Sequence, residues 1–192
     1  SDRLNLLQHP TPGILKCIES LANFYYEKDE NHMANEYYKK YQMMFQHLYG
    51  EDSLRPEAAH GYFVLGRASY NSSRYSEAEQ SYNKSLKIYQ QIYGEGADHP
   101  DIALLYSEMG RNFWRTSNYT AAKRYLQMSL DMYGRLYGDN CDQADIAAAL
   151  CISGCCFRGM GDHREAIINH TLSLDMYKRI HGEDSDHPNI AV

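Results

Sequence analysis

The sequence predicts an all-α chain of about four 44-residue helix-turn-helix units stacked into an α-α superhelix, and three observations carry that reading. The first is a register: Gly50-Glu51, Gly94-Glu95, Gly138-Asp139 and Gly182-Glu183 follow one another at intervals of 44 residues. The same interval links Pro12, Pro56, Pro100 and Pro188, with Ala144 in the remaining slot, and it links Ala34, Ala78, Ala122 and Ala166. A fixed period of this size is the signature of stacked repeats, each of which buries its apolar face on its neighbours. The second is spacing. Ala78, Tyr82, Leu86, Tyr89 and Tyr93 step by 4, 4, 3 and 4 residues, which places all five on one helical face. The third is composition: 43% hydrophobic and 23% charged residues over 192 positions supply a full core and are too apolar for a disordered chain.

The elements follow in order. Residues 1–11, with Leu4, Leu6 and Leu7, read as an N-terminal tail or the end of a preceding unit. Four repeats then span 12–55, 56–99, 100–143 and 144–187, and residues 188–192 read as the truncated start of a fifth. In each repeat a first helix of about 17 residues begins at the proline, whose fixed φ suits a first helical position. It stops at a short polar turn: Ser72-Ser73-Arg74, Ser117-Asn118 or Gly161-Asp162. A second helix of about 19 residues, roughly 28 Å at 1.5 Å per residue, runs to a glycine suited to the left-handed position past a helix end.

Small residues set where the helices meet. Ala22, Gly66, Gly110 and Gly154 on the first helices and Ala34, Ala78, Ala122 and Ala166 on the second remove bulk at a close approach. Tyrosine fills the remaining space, which accounts for 18 tyrosines against five phenylalanines and one tryptophan. Tyr82, Tyr89, Tyr93, Tyr133, Tyr137 and Tyr177 are expected on the packing stripe of the second helices.

Composition also excludes functions. A formal charge of −6 disfavours non-specific attraction to nucleic acid or an anionic membrane, and no apolar run reaches the roughly 18 to 20 residues needed to span a bilayer. There is no phosphate-cradling glycine loop, no Gly-x-Ser-x-Gly elbow and no His-Glu-x-x-His, so neither an enzyme nor a cofactor is expected. Cys151, Cys155 and Cys156 cluster on one first helix, but no second ligand pair accompanies them, and they read as small packing residues with no metal. Five cysteines without framework spacing point to a reducing, cytoplasmic setting, against which stand four Asn-x-Ser/Thr sequons at Asn71, Asn83, Asn118 and Asn169. His99 and His187, each ahead of a proline, read as loop or cap residues.

Gly110, Phe113 and Ala122, like Gly154, Phe157 and Ala166, place a small residue, an aromatic three positions on and an alanine nine further. This pattern resembles the tetratricopeptide repeat. With its long helices, its period of 44 and the junction running from Tyr93 through His99-Pro100 to Ala103, the chain is similar to the kinesin light chain and nephrocystin-like long-repeat type. The junction is two residues longer than in kinesin light chains. Ser153 departs from a slot held by Leu21, Leu65 and Met109, and His170 from one held by Tyr38, Tyr82 and Leu126.

The resemblance implies a right-handed solenoid, non-catalytic, that takes a protein or peptide in a concave groove lined mainly by the first helices. Carried over residue by residue, the groove holds Lys16, Glu19, Asn23, Tyr26 and Glu27, then His60, Phe63, Arg67, Tyr70 and Asn71. The third repeat adds Leu104, Ser107, Arg111, Trp114 and Arg115, and the fourth Ala148, Cys151, Cys155 and Arg158. Repeats two to four bring four arginines and no carboxylate to these positions, although the chain is acidic overall. Arginine pairs carboxylates bidentately and stacks on aromatic rings, so the expected ligand is an extended acidic peptide with an aromatic or bulky apolar anchor. The resemblance agrees, since kinesin light chains use the groove for acidic cargo peptides containing Trp. Against this stands the reading that the arginines are ordinary solvated residues paired with carboxylates such as Glu108 or Asp101. Two other functions compete: a structural array that self-associates through Leu4, Leu6, Leu7, Ile190 and Val192 at its ends, and a sensor or regulatory region of a larger receptor or enzyme.

Overall fold

A computed structural model describes residues 11–50, 53–138 and 141–182. The expectations placed on Leu4, Leu6, Leu7 and residues 183–192 lie outside them. The chain divides into two compact units, residues 1–97 and 98–192. All described regular structure is α-helical, packed in adjacent pairs.

In the N-terminal unit the helices are α1 (Pro12–Glu27), α2 (Asn31–Tyr49), α3 (Pro56–Asn71) and α4 (Tyr75–Tyr93). In the C-terminal unit they are α5 (Pro100–Arg115), α6 (Tyr119–Tyr137), α7 (Ala144–Gly159) and α8 (His163–His181). First helices have 16 residues and second helices 19. The first helices are one residue shorter than the spacing predicts because the turn takes a left-handed residue in a constant register: Asp29, Ser73, Ser117 and Gly161, with φ of 57°, 58°, 59° and 82°. Second helices end at Gly50, Gly94, Gly138 and Gly182, all at positive φ, where the helix must reverse into the junction. Several N-termini carry side-chain caps, including Thr11, Asn118 and Asp162; His99 caps α5 by accepting from the Asp101 amide at 3.2 Å.

Within each pair the small residue of the first helix receives a large side chain from the second. A Cβ on Gly110 would lie 2.6 Å from Leu126 Cγ, and one on Gly154 would lie 2.8 Å from three atoms of the His170 ring. Gly66 faces the Tyr82 ring in the same way, and Ala22 packs in one cluster with Tyr38. His170 therefore occupies the slot of its register partners, and Ser153 is buried.

A second recurrent contact was not anticipated. Ser85, Ser129 and Ser173 each donate from Oγ to the backbone carbonyl of Ala59, Ala103 and Ala147, at 2.8, 2.7 and 2.7 Å. The equivalent position in α2 is Tyr41, which instead fills an apolar cluster with Leu15, Met44, Phe45 and Ala58. In the C-terminal unit a junction aspartate clamps the end of the second helix: Asp98 accepts from Arg135 at 2.7 to 3.0 Å, and Asp142 from Arg179 at 2.8 to 2.9 Å. Those pairs hold both carboxyls below the usual carboxylate range.

The tyrosine stripe is narrower than the spacing predicts. Tyr82, Tyr89, Tyr133 and Tyr177 are buried, but Tyr93 is half-buried and Tyr137 is 41% exposed. Each of these two stacks on the ring one turn earlier, Tyr93 on Tyr89 and Tyr137 on Tyr133, with centroids 5.8 and 6.1 Å apart. The drift has a simple origin: steps of four residues advance 400°, so repeated steps carry the stripe off the packing face.

Between pairs, α3 packs on α2 and α7 packs on α6. The second of these contacts buries Ala122, Leu126, Ala149, Ile152 and Cys156 together, with Trp114 and Phe113 against them.

Candidate functional site

The residues expected to line a groove fall on α1 and α3 in one unit and on α5 and α7 in the other, and the two faces differ in chemistry. On the N-terminal face, Arg67 of α3 reaches α1: its guanidinium lies 4.9 Å from the Tyr26 ring centroid and 5.7 Å from that of Phe63. Such stacking pre-orders the guanidinium while leaving its N–H edges available to an anion. Asn23 is exposed but its Oδ1 accepts from the Tyr38 hydroxyl at 2.6 Å, fixing it to α2. Tyr38 itself is pushed above the ordinary phenol range, chiefly by burial. Phe63 is 6% exposed and packs 6.3 Å from Tyr82, with the exposed His60 ring 6.1 Å away. Tyr70 is half-buried against Tyr75, and Asn71 is exposed at the end of α3. Glu19 and Glu27 act on the Tyr38 hydroxyl as well as Arg67, so the field here is mixed in sign.

The C-terminal face is more basic. Arg111 of α5 lies 3.3 Å from Glu108, whose side chain is only 7% exposed, so this carboxylate is buried beneath the guanidinium and satisfies part of its donor set. This is the pairing that the competing reading of the arginines names. Arg115, one turn on, is exposed and sits 5.7 Å over the half-buried Trp114 ring. Arg158 is exposed on α7, and its charge acts on Cys155, Cys151 and His170; Arg111 acts on Cys151 from α5. Arg111 of α5 and Arg158 of α7 thus act on one side chain, Cys151, while Arg115 lies over the indole ring and Asp145 of α7 acts on Tyr177 together with Arg111. Ser107 is buried, at 3% exposure, and takes no part in the open face.

Among the described residues, no three His, Cys, Asp or Glu side chains converge on a metal-sized site, and no helix is long and apolar enough to cross a membrane. Sequence reasoning missed a cleft of about 560 Å3 along α6, lined in part by Lys123, Arg124, Met128 and Asp131 with Met160 from the end of α7.

A family profile described as tetratricopeptide repeat matches residues 65–135 and 101–179. No sequence match to a protein of curated function was found. Among solved structures, BtubC (BKLC) from P. vanneervenii is similar with a TM-score of 0.75 at 17% identity, covering 90% of this chain and 66% of that one. The apo form of RapI is similar at 0.71 and 13%, covering 86% of this chain and 56% of that one. A putative kinesin light chain from Podosopora anserina with nearly identical repeats gives 0.70 at 16%, covering 95% and 82%. The chain thus spans less than two thirds of the length of the first two. At these identities the likeness is one of fold: an all-α array of helix pairs.

Proposed function

The chain belongs to the tetratricopeptide repeat family, a protein-interaction scaffold, and from that premise we propose that it is a non-catalytic adaptor whose first-helix faces bind a partner peptide that is acidic and carries an aromatic anchor. The observation that carries the reading is the C-terminal face, where Arg115 lies over the Trp114 ring, Arg111 pairs with the buried Glu108, and Arg111 and Arg158 both act on Cys151. An arginine with five N–H donors keeps some for a ligand carboxylate after pairing with Glu108, and Trp114 offers a face to an aromatic side chain. Arg67 over Tyr26 and Phe63 offers a smaller version of the same device on the N-terminal face, next to Asn23, His60, Tyr70 and Asn71. The proposal keeps the four repeats of the sequence reading and a cytoplasmic setting, with no cofactor, nucleic acid or membrane as partner.

The test is a pull-down with the whole chain beside a version in which Arg67, Arg111 and Arg158 are changed to Glu. Partners lost from the variant are identified by mass spectrometry and their contact segments mapped. Acidic segments containing Trp, Phe or Leu support the reading; an unchanged partner set contradicts it.

One observation favours a second reading, end-to-end association. On α1, Leu21 and Phe24 are 43% and 51% exposed, whereas their register partners on α3, Leu65 and Ala68, are 9% and 0% exposed. A face that is covered in one helix and bare in another is suited to a neighbouring helix pair. Light scattering over a concentration series decides it: a monomer at high concentration counts against association.

A further inference from the structure

Ile168 and Leu172 are bare at positions where the repeat elsewhere carries polar groups. They are 41% and 50% exposed on α8, beside Ile167 at 67%. Among the described residues, the other exposed isoleucines and leucines stand singly, Leu21 on α1 and Leu54 ahead of α3. A missing neighbouring helix pair does not account for Ile168 and Leu172. Their slots are held by Glu36 and Lys40 on α2 and by Arg124 and Met128 on α6, and all four keep open surface although α3 packs on α2 and α7 on α6. Ile167 is different: in its slot Asn35 is buried and donates to Ser69 of α3 at 2.7 Å, and Lys123 lies over the Phe157 ring of α7. It marks the edge between the open stripe and the packing face. Branched aliphatic side chains on a stripe that stays in solvent are costly unless something covers them.

The order of residues along the stripe points to what that is. Arg164, Ile167, Ile168, Thr171, Leu172 and Asp175 are all exposed and follow one another at steps of 3, 1, 3, 1 and 3 residues, a spacing that reads the same from either end. Such steps keep them on one side of the helix. When a second copy of α8 is laid antiparallel on the first, about a two-fold axis level with the peptide between Asn169 and His170, Arg164 meets Asp175 of the second copy, Ile167 meets Leu172 and Ile168 meets Thr171. Each pair occurs twice. Opposite charges then close both ends and apolar side chains fill the middle, whereas a parallel pairing in register sets Arg164 against Arg164 and Asp175 against Asp175. Among the described residues neither Arg164 nor Asp175 makes an ion pair; Asp175 acts on Arg179, whose Nε and Nη2 are already held by Asp142.

We propose that α8 is an isologous dimer interface, its outward stripe packing antiparallel on α8 of a second copy of this chain. The inference is independent of the peptide-binding reading. It also differs from end-to-end association through α1, which joins unlike surfaces and does not close on itself. One helix on one helix falls at the small end of interface sizes, below about 1,200 Å2 in total, so the dimer is reversible at micromolar concentration. A closed dimer carries two copies of every ligand-binding face, which gives a scaffold avidity for a partner that is itself multivalent.

The test is sedimentation velocity of the whole chain over a concentration series from the low micromolar range to a few hundred micromolar. The parent should pass reversibly from monomer to dimer and stop there. Ile168→Arg combined with Leu172→Lys copies Arg124 of α6 and Lys40 of α2 in the same slots, so the fold is kept, as an unchanged Tm would verify, and the dimer should weaken at least tenfold. Charge variants test the register. Arg164→Asp and Asp175→Arg each set like charges opposite one another at both ends, and each should weaken the dimer about tenfold at low salt. Mixed in equal amounts, the two single variants should form a mixed dimer as strong as the parent's, since one chain then carries acids at both positions and the other arginines. No interface other than α8 against its own antiparallel copy predicts that recovery. A parent chain that stays monomeric throughout, or that grows past a dimer, overturns the proposal. So does a dimer that survives the Ile168 and Leu172 changes, or a mixture no more dimeric than its two components.

Discussion

Gly110→Ala tests the packing logic where an added Cβ would meet both a buried side chain and helix backbone. The added Cβ would lie 2.6 Å from Leu126 Cγ, 3.0 Å from Leu126 Cδ2 and 3.2 Å from the carbonyl oxygen of Ala122. Leu126 is fully buried and held by Ala149, Ile152 and Cys156, so it has nowhere to turn. The Ala122 carbonyl belongs to the backbone of α6, so relieving that contact moves the helix. Overpacking of a well-filled core costs about 1 to 3 kcal/mol. Against it stands the helix propensity of alanine over glycine, about 0.8 to 1 kcal/mol. The net is a loss of about 1 kcal/mol and at most about 2, which for a chain of this size lowers Tm by roughly 2 to 8 °C. Gly13→Ala is the control: its Cβ would meet only Thr11 Oγ1, at 3.9 Å, so it should hold or raise Tm. Calorimetry and urea denaturation of the two variants beside the parent give the answer. A Gly110→Ala protein as stable as the parent would refute the close-approach argument.

Three further outcomes are expected. Ser129→Ala removes a buried donor to the Ala103 carbonyl at 2.7 Å and should cost about 1 kcal/mol, read as a lower urea midpoint with unchanged m. Ser117→Gly relieves a left-handed serine, worth about 1 to 2 kcal/mol, at a glycine entropy cost of about 0.5 to 1 kcal/mol, so Tm should rise slightly, as Gly161 already exemplifies in the same register. His170 is held neutral by burial and by Arg158, so its folded pKa lies below the 6.5 of the free imidazole. Its contribution is complete above pH 6.5 and declines as the unfolded chain protonates on the way down to the folded pKa. His170→Leu, copying Leu126, should therefore shrink the fall in Tm between pH 7.5 and 5.5, and an unaltered fall would remove the argument.

Much of the fold is written in the register of the sequence. The proline or alanine that opens each described first helix, the small residue that admits a neighbour and the glycine that ends each second helix are local requirements of backbone and volume, and each recurs every 44 residues. Contacts that join distant residues are harder to read. Ser85, Ser129 and Ser173 also recur every 44 residues, but a serine in a helix gives no hint that its hydroxyl reaches an alanine carbonyl on another helix. Asp98 and Arg135 pair across 37 residues, and only the folded junction brings them together. At the candidate site, the arginines and Trp114 could be placed by residue type and helical position. What the sequence withholds is depth: Phe63 and Ser107 lie at the edge between an open face and a packing face, and both turn inward. The same holds for Glu108, whose burial makes it a counter-charge beneath Arg111 instead of a competitor at the surface.

The central claim is that the α5 and α7 face binds acidic peptides through its arginines. Fluorescence anisotropy of a labelled acidic peptide containing one Trp, titrated with the parent chain and with an Arg111→Glu, Arg115→Glu double variant at 50 and 300 mM salt, tests it most directly. The account predicts saturable binding that weakens as salt rises, falls further when the peptide Trp becomes Ala, and drops at least tenfold in the double variant. Binding of equal strength at both salt concentrations and in both proteins would contradict it.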